Sequence, residues 1–177
     1  MERRPEDQDR TPARELFSLA QIMHLLRVEF ARAQRYEYPL ACLLLSVDGL
    51  GHIRDTYGYE AKQSVLDGVA DALKSETRSC DFLGRLMDDR LLAVVPHTRG
   101  DGARVLAERL LGAVRKLKFE SGGERIPISL SIGVTHNGEG GTLFFDALLQ
   151  AGEGALAQSV AAGGDRLSVR DPAQVVG

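Results

Sequence analysis

The chain has 177 residues, 44% of them hydrophobic, enough for one domain with its own core. Its formal net charge of −3 gives no general affinity for nucleic acid or for an anionic membrane surface. No apolar run is long enough to span a bilayer, and no signal peptide precedes the predicted fold.

Residues 1–11 (MERRPEDQDRT) are charged and contain proline, and are expected to form a disordered tail. A helix is predicted from near Pro12 to about Arg35, with Leu16, Leu19, Ile22, Leu26 and Phe30 at helical spacing. Tyr38 to Val47 (YPLACLLLSV) reads as a buried strand. A second helix is predicted over Tyr59 to Thr77, with Val65, Val69 and Leu73 on one face. Phe82 to Leu86 and Leu91 to Val95 are two apolar runs around a short charged turn, which is a hairpin pattern. A third helix is predicted over Gly102 to Lys118, a strand over Ile126 to Thr135 and a last helix over Leu143 to Ala162. A short strand over Arg166 to Val169 closes the domain, expected to span 12–170, and 171–177 is left as a C-terminal tail. The alternation implies an α/β (α+β) domain: a central mixed sheet flanked by helices.

Several of these stretches resemble one family. RLMDDRLLAVVP (Arg85 to Pro96), PLACLLLSVD, DTYGYE and ISLSIGVT are similar to segments of the GGDEF (diguanylate cyclase) family. The resemblance covers about Glu15 to Ser168 and implies a palm-like, ferredoxin-like fold. It also implies a bacterial cytoplasmic setting, because c-di-GMP signalling is largely bacterial. In that family the hairpin turn carries Gly-Gly-Asp/Glu-Glu-Phe. The matching residues here are Met87, Asp88, Asp89, Arg90 and Leu91.

The family condenses two GTP molecules with two divalent ions, which need carboxylate oxygens. The first metal-binding aspartate of the family matches Ser46, a neutral and weak ligand, and the hairpin's second metal acid matches Arg90. A fixed cation there opposes an ion by Coulomb repulsion. The family's guanine-recognising asparagine matches Arg54, its base-binding aspartate Gln63, and its phosphate-contacting lysine Val160. The N-terminal signature has decayed to TPARELFSLA. The resemblance therefore implies a degenerate domain with no catalytic residues, no metal and no cofactor.

Arg78-Ser79-Cys80-Asp81 keeps the family's RxxD pattern, five residues before the turn. In the family this is the inhibitory site for c-di-GMP, and an arginine on the following helix adds a contact; Arg109 is the candidate for that position here, with Arg104 the alternative. Arginine donates to guanine O6 and N7 or to phosphate, and aspartate accepts from guanine N1–H and N2–H. Arg78, Asp81 and Arg109 are thus the candidate c-di-GMP site. The competing reading of an i, i+3 Arg–Asp pair is a local salt bridge worth under ~1 kcal/mol.

Three functions remain open from the sequence. The first is an inactive c-di-GMP receptor, the ligand linking two copies as a homodimer or docking the domain on a signalling partner. The second is an interaction scaffold that binds no nucleotide, and the third is a residual cyclase. Cys42, Cys80 and the four histidines have no metal-ligand spacing. Cys42 is expected to be a buried thiol, and Asp48 to brace the loop after the first strand.

Overall fold

The computed structural model describes residues 16–138 and 144–172. The predicted tail at 1–11, the helix starts at Pro12 and Leu143 and most of the C-terminal tail lie outside them. Among the described residues, five helices and a five-stranded mixed sheet form a single α+β domain.

The first helix, α1 (Leu19–Tyr36), begins later than its apolar spacing predicts. Ser18 and Gln21 form a capping box: the Gln21 N–H donates to Ser18 Oγ and the Ser18 N–H to Gln21 Oε1. Before that cap the chain is extended, because Phe17 docks on the sheet edge. Its N–H donates to the Leu83 carbonyl at 3.0 Å and its carbonyl accepts from the Arg85 N–H at 2.9 Å. Leu16 therefore does not belong to the helical stripe, and Leu19 is exposed.

β1 (Leu40–Val47) is the middle strand of the order β2-β3-β1-β6-β7. It pairs antiparallel with β3 (Leu91–Pro96) and β6 (Leu130–His136). β2 (Phe82–Arg85) pairs antiparallel with β3, and β7 (Arg166–Arg170) pairs parallel with β6. The period of two along β1 feeds two cores. Ala41, Leu43 and Leu45 pack under α3 (Tyr59–Glu76) and α4 (Gly100–Arg115). Cys42 and Leu44 face α1 and α5 (Phe145–Ala161). Gly133 of β6 lets α5 lie against the strand: a Cβ there would come within 2.4 Å of the Leu156 nitrogen.

Two elements appear that the sequence pattern hides. α2 (Leu50–Tyr57) follows β1 where a loop is expected; it buries only Ile53, too little for an apolar stripe. The predicted strand at 126–135 is interrupted. β4 (Phe119–Ser121) and β5 (Glu124–Ile126) make a separate two-stranded ribbon, and Pro127, which has no N–H for a ladder, divides β5 from β6. Correspondingly, α4 ends at Arg115 rather than Lys118. Among the described residues no helix is long and apolar enough to cross a membrane.

Candidate functional site

The chain leaves α3 at Glu76 and turns into β2 through Arg78-Ser79-Cys80-Asp81, closed by a hydrogen bond from the Asp81 N–H to the Arg78 carbonyl at 3.0 Å. The turn brings the two predicted site residues together. Asp81 Oδ2 accepts from the Arg78 backbone N–H at 2.9 Å and from Nε at 3.4 Å, and Oδ1 accepts from Nη2 at 3.1 Å. The same Nη2 reaches the Pro96 carbonyl at 3.1 Å and Thr98 Oγ1 at 2.9 Å. The arginine thus ties the α3–β2 turn to the β3–α4 turn.

The two partners differ in exposure. The Asp81 side chain is 1% exposed and that of Arg78 52%. A carboxylate this deep is costly unless hydrogen-bonded, and its three contacts with Arg78 meet that need. They also hold the guanidinium above its ordinary pKa. In this arrangement Asp81 orients Arg78, and the guanidinium is the group that meets solvent.

Arg109, on α4, is directed at the end of α3 instead of at the Arg78–Asp81 pair. Its Nη2 donates to the Glu76 carbonyl at 2.8 Å, and Nε lies 3.5 Å from Glu76 Oε2. It caps the C-terminal end of α3, where a cation is favoured by the orphan carbonyls. Glu76 precedes Arg78 by two residues, so both arginines flank one corner of the fold. Arg109 also lines an open groove of about 760 Å³ between α3 and α4.

Two of the positions matched to catalysis, Ser46 and Arg90, lie at the other end of β3. The β1–β3 ladder pairs Leu45 with Leu91, so Ser46 and Arg90 are the next residues outward on the two strands. Arg90 Nη1 lies 2.5 Å from Glu153 Oε2 on α5, and Lys62 Nζ of α3 lies 2.8 Å from Asp89 Oδ2. A hydroxyl, a guanidinium and a carboxylate already paired with a lysine do not fit a divalent cation, which needs several oxygen ligands. Among the described residues no group of three or more His, Cys, Asp or Glu side chains could hold a metal. Asp88 and Asp89 both take the left-handed conformation, φ 59° and 60°. Aspartate tolerates this conformation better than most residues, so the turn keeps a backbone suited to glycine while adding side chains.

Asp48 is a brace. Its oxygens accept from Ser131 Oγ at 2.6 Å, Ser129 Oγ at 2.7 Å and the Asp165 N–H at 2.8 Å, joining β1 to β6 and to the α5–β7 turn. Glu153, Lys62, Glu76 and Thr98 are not legible as partners in the sequence, because each reaches its arginine or aspartate across the tertiary fold.

The sequence model described as "Diguanylate cyclase, GGDEF domain" matches residues 14–166. The diguanylate cyclase DgcP of Pseudomonas aeruginosa is 31% identical over 152 residues, covering 85% of this chain and 22% of that protein. The chain spans about a quarter of the length of the curated relatives it matches. Among solved structures, the diguanylate cyclase SiaD of P. aeruginosa, in complex with its activator SiaC, superposes with a TM-score of 0.81 at 29% identity, covering 89% of this chain and 60% of SiaD. The GGDEF domain of DgcB from Caulobacter crescentus, in complex with c-di-GMP, shares the fold with a TM-score of 0.81 at 17% identity, covering 89% of this chain and 92% of that one.

Proposed function

The chain belongs to the diguanylate cyclase GGDEF-domain family, and we propose that it is a catalytically inactive member serving as a receptor for c-di-GMP. The carrying observation is a contrast within one domain. The positions that handle metal and GTP hold Ser46, Arg54, Gln63, Arg90 and Val160, and Arg90 is spent on Glu153. The inhibitory-site positions keep Arg78, Asp81 and Arg109, and both arginines present half-exposed guanidinium groups at one corner of the fold. Guanidinium groups suit the guanine edges and the two phosphates of this ligand. Asp81 holds Arg78 in place, and the bound nucleotide links the domain to a second copy or to a signalling protein. A bacterial cytoplasmic setting goes with this reading.

One observation favours a second reading, the nucleotide-independent scaffold. Arg78 is already engaged by Asp81, Pro96 and Thr98, which is what a purely structural clasp would look like. The relatives' names point instead to synthesis of c-di-GMP, and the donor set at Ser46 and Arg90 argues against that. One paired assay separates the three. Binding of c-di-GMP without product from GTP and Mg²⁺ or Mn²⁺ supports the receptor. Product from GTP restores the cyclase, and neither binding nor product leaves the scaffold.

A further inference from the structure

The Arg78 clasp does not end at Thr98. Pro96 and Thr98, acceptors from Arg78 outside the motif, flank His97, which takes a left-handed conformation with φ 53°. The His97 ring stacks on Tyr38, with centroids 4.0 Å apart and planes 25° from parallel. The Tyr38 hydroxyl donates to Glu29, a buried carboxylate on the inner face of α1. The Thr98 N–H donates to the Pro39 carbonyl at 3.2 Å, and the Tyr38 N–H to the Ala33 carbonyl at 3.2 Å. Arg78 is therefore joined to the last turns of α1 by an unbroken series of contacts through residues 96–98 and 38–39.

We infer that this series is a relay: occupancy of the Arg78 site is read out at the C-terminal end of α1. The inference rests on the receptor reading for its ligand and on the contacts alone for its mechanics. A ligand oxygen or nitrogen that accepts from Nη2 competes with the Pro96 carbonyl and Thr98 Oγ1. It does not readily displace Asp81, which is buried and would be stranded. The exchange releases the 96–98 turn, and the left-handed His97 loses one of the restraints that hold it against Tyr38. The domain then has two states: clasp closed with α1 anchored, and clasp open with α1 loosened. A ligand that prefers the open state shifts the balance toward it, and anything that weakens the α1 anchor must tighten the ligand by the same factor.

That reciprocity sets the test. Thr98→Val removes the hydroxyl that accepts from Nη2, and Tyr38→Phe removes the bond to Glu29 but keeps the ring. Both are expected to bind c-di-GMP at least about fivefold more tightly than wild type by calorimetry, with Thr98→Ser like wild type. A clasp that only positions Arg78 gives the opposite result for Thr98→Val, weaker binding, and that or unchanged affinity overturns the relay. A second arm needs no ligand. Arg78→Ala and Thr98→Val should each raise amide hydrogen exchange at residues 36–38 and 40 several-fold, and unchanged exchange there overturns the relay as well. If wild type does not bind c-di-GMP, the receptor reading fails and the exchange arm alone decides the relay.

Discussion

Arg90 Nη1 on the hairpin turn sits 2.5 Å from Glu153 Oε2 on α5, so a position matched to a metal-binding acid instead carries a cation neutralised from across the domain. Restoring the acid by itself would set a second carboxylate beside Glu153, opposite a neutral Ser46. Arg90→Glu is accordingly expected to give no c-di-GMP from GTP with Mg²⁺ or Mn²⁺, as is wild type, when products are resolved by anion-exchange chromatography. Product from either protein would contradict this view of the turn.

Asp81 is almost wholly buried, and it accepts from both the backbone and the guanidinium of Arg78. Asp81→Ala leaves those donors without their shared acceptor and should cost about 2 kcal/mol, the scale of a stranded buried donor with the guanidinium half-solvated. Arg78→Ala leaves the buried Asp81 carboxylate with a backbone N–H but no guanidinium, and should cost at least as much, about 2 to 3 kcal/mol. Urea unfolding monitored by circular dichroism gives both values, and the order of the two variants is the informative part.

Much of the framework is legible in the sequence because it rests on local periodicity. The apolar run of β1 and the apolar face of α3 identify those elements, and the RxxD spacing identifies Arg78 with Asp81. The rest depends on distant residues. The start of α1 is fixed by Phe17 adding to β2, a contact with Gly84 far along the chain. α2 buries a single side chain, and β4 and β5 are three residues each, too short to show a period. The sequence sets Arg78 beside Asp81, but the burial of the aspartate and the half-exposure of the arginine depend on the tertiary fold. Arg109 is identifiable by its place in the helix, but its capping of Glu76 is not.

One buried and one partly buried group predict an alkaline limit. Burial pushes the Cys42 thiol up to about 12 from 9.0, and burial followed by the Glu29 hydrogen bond pushes Tyr38 up to about 12 from 10.0. In both cases folding favours the neutral form. Their stabilisation is complete below about pH 9 and is lost as pH rises toward about 12. Denaturant midpoints should fall across that window, and Cys42→Ala should flatten the decline. At pH 8 a thiol reagent should label exposed Cys80 quickly and Cys42 only after unfolding.

The contact between β6 and α5 leaves no room for a methyl group. In Gly133→Ala the new carbon would meet the Leu156 nitrogen at 2.4 Å and the Gly152 carbonyl oxygen at 2.5 Å, both backbone. Backbone cannot rotate away, so the expected loss is about 3 kcal/mol, the upper end for overpacking. Thermal unfolding should show a drop of several degrees, and a wild-type melting temperature would contradict the close approach.

On the receptor reading, Arg78 serves a ligand as well as the fold. Isothermal titration of wild type and Arg78→Ala with c-di-GMP, with GTP as the control, tests it most directly. Wild type is expected to bind with micromolar or tighter affinity at close to two ligands per chain, the variant to lose that binding, and GTP to give no saturable heat. Absence of heat with wild type, or equal binding by Arg78→Ala, would contradict that reading and leave Arg78 and Asp81 as a clasp between two turns.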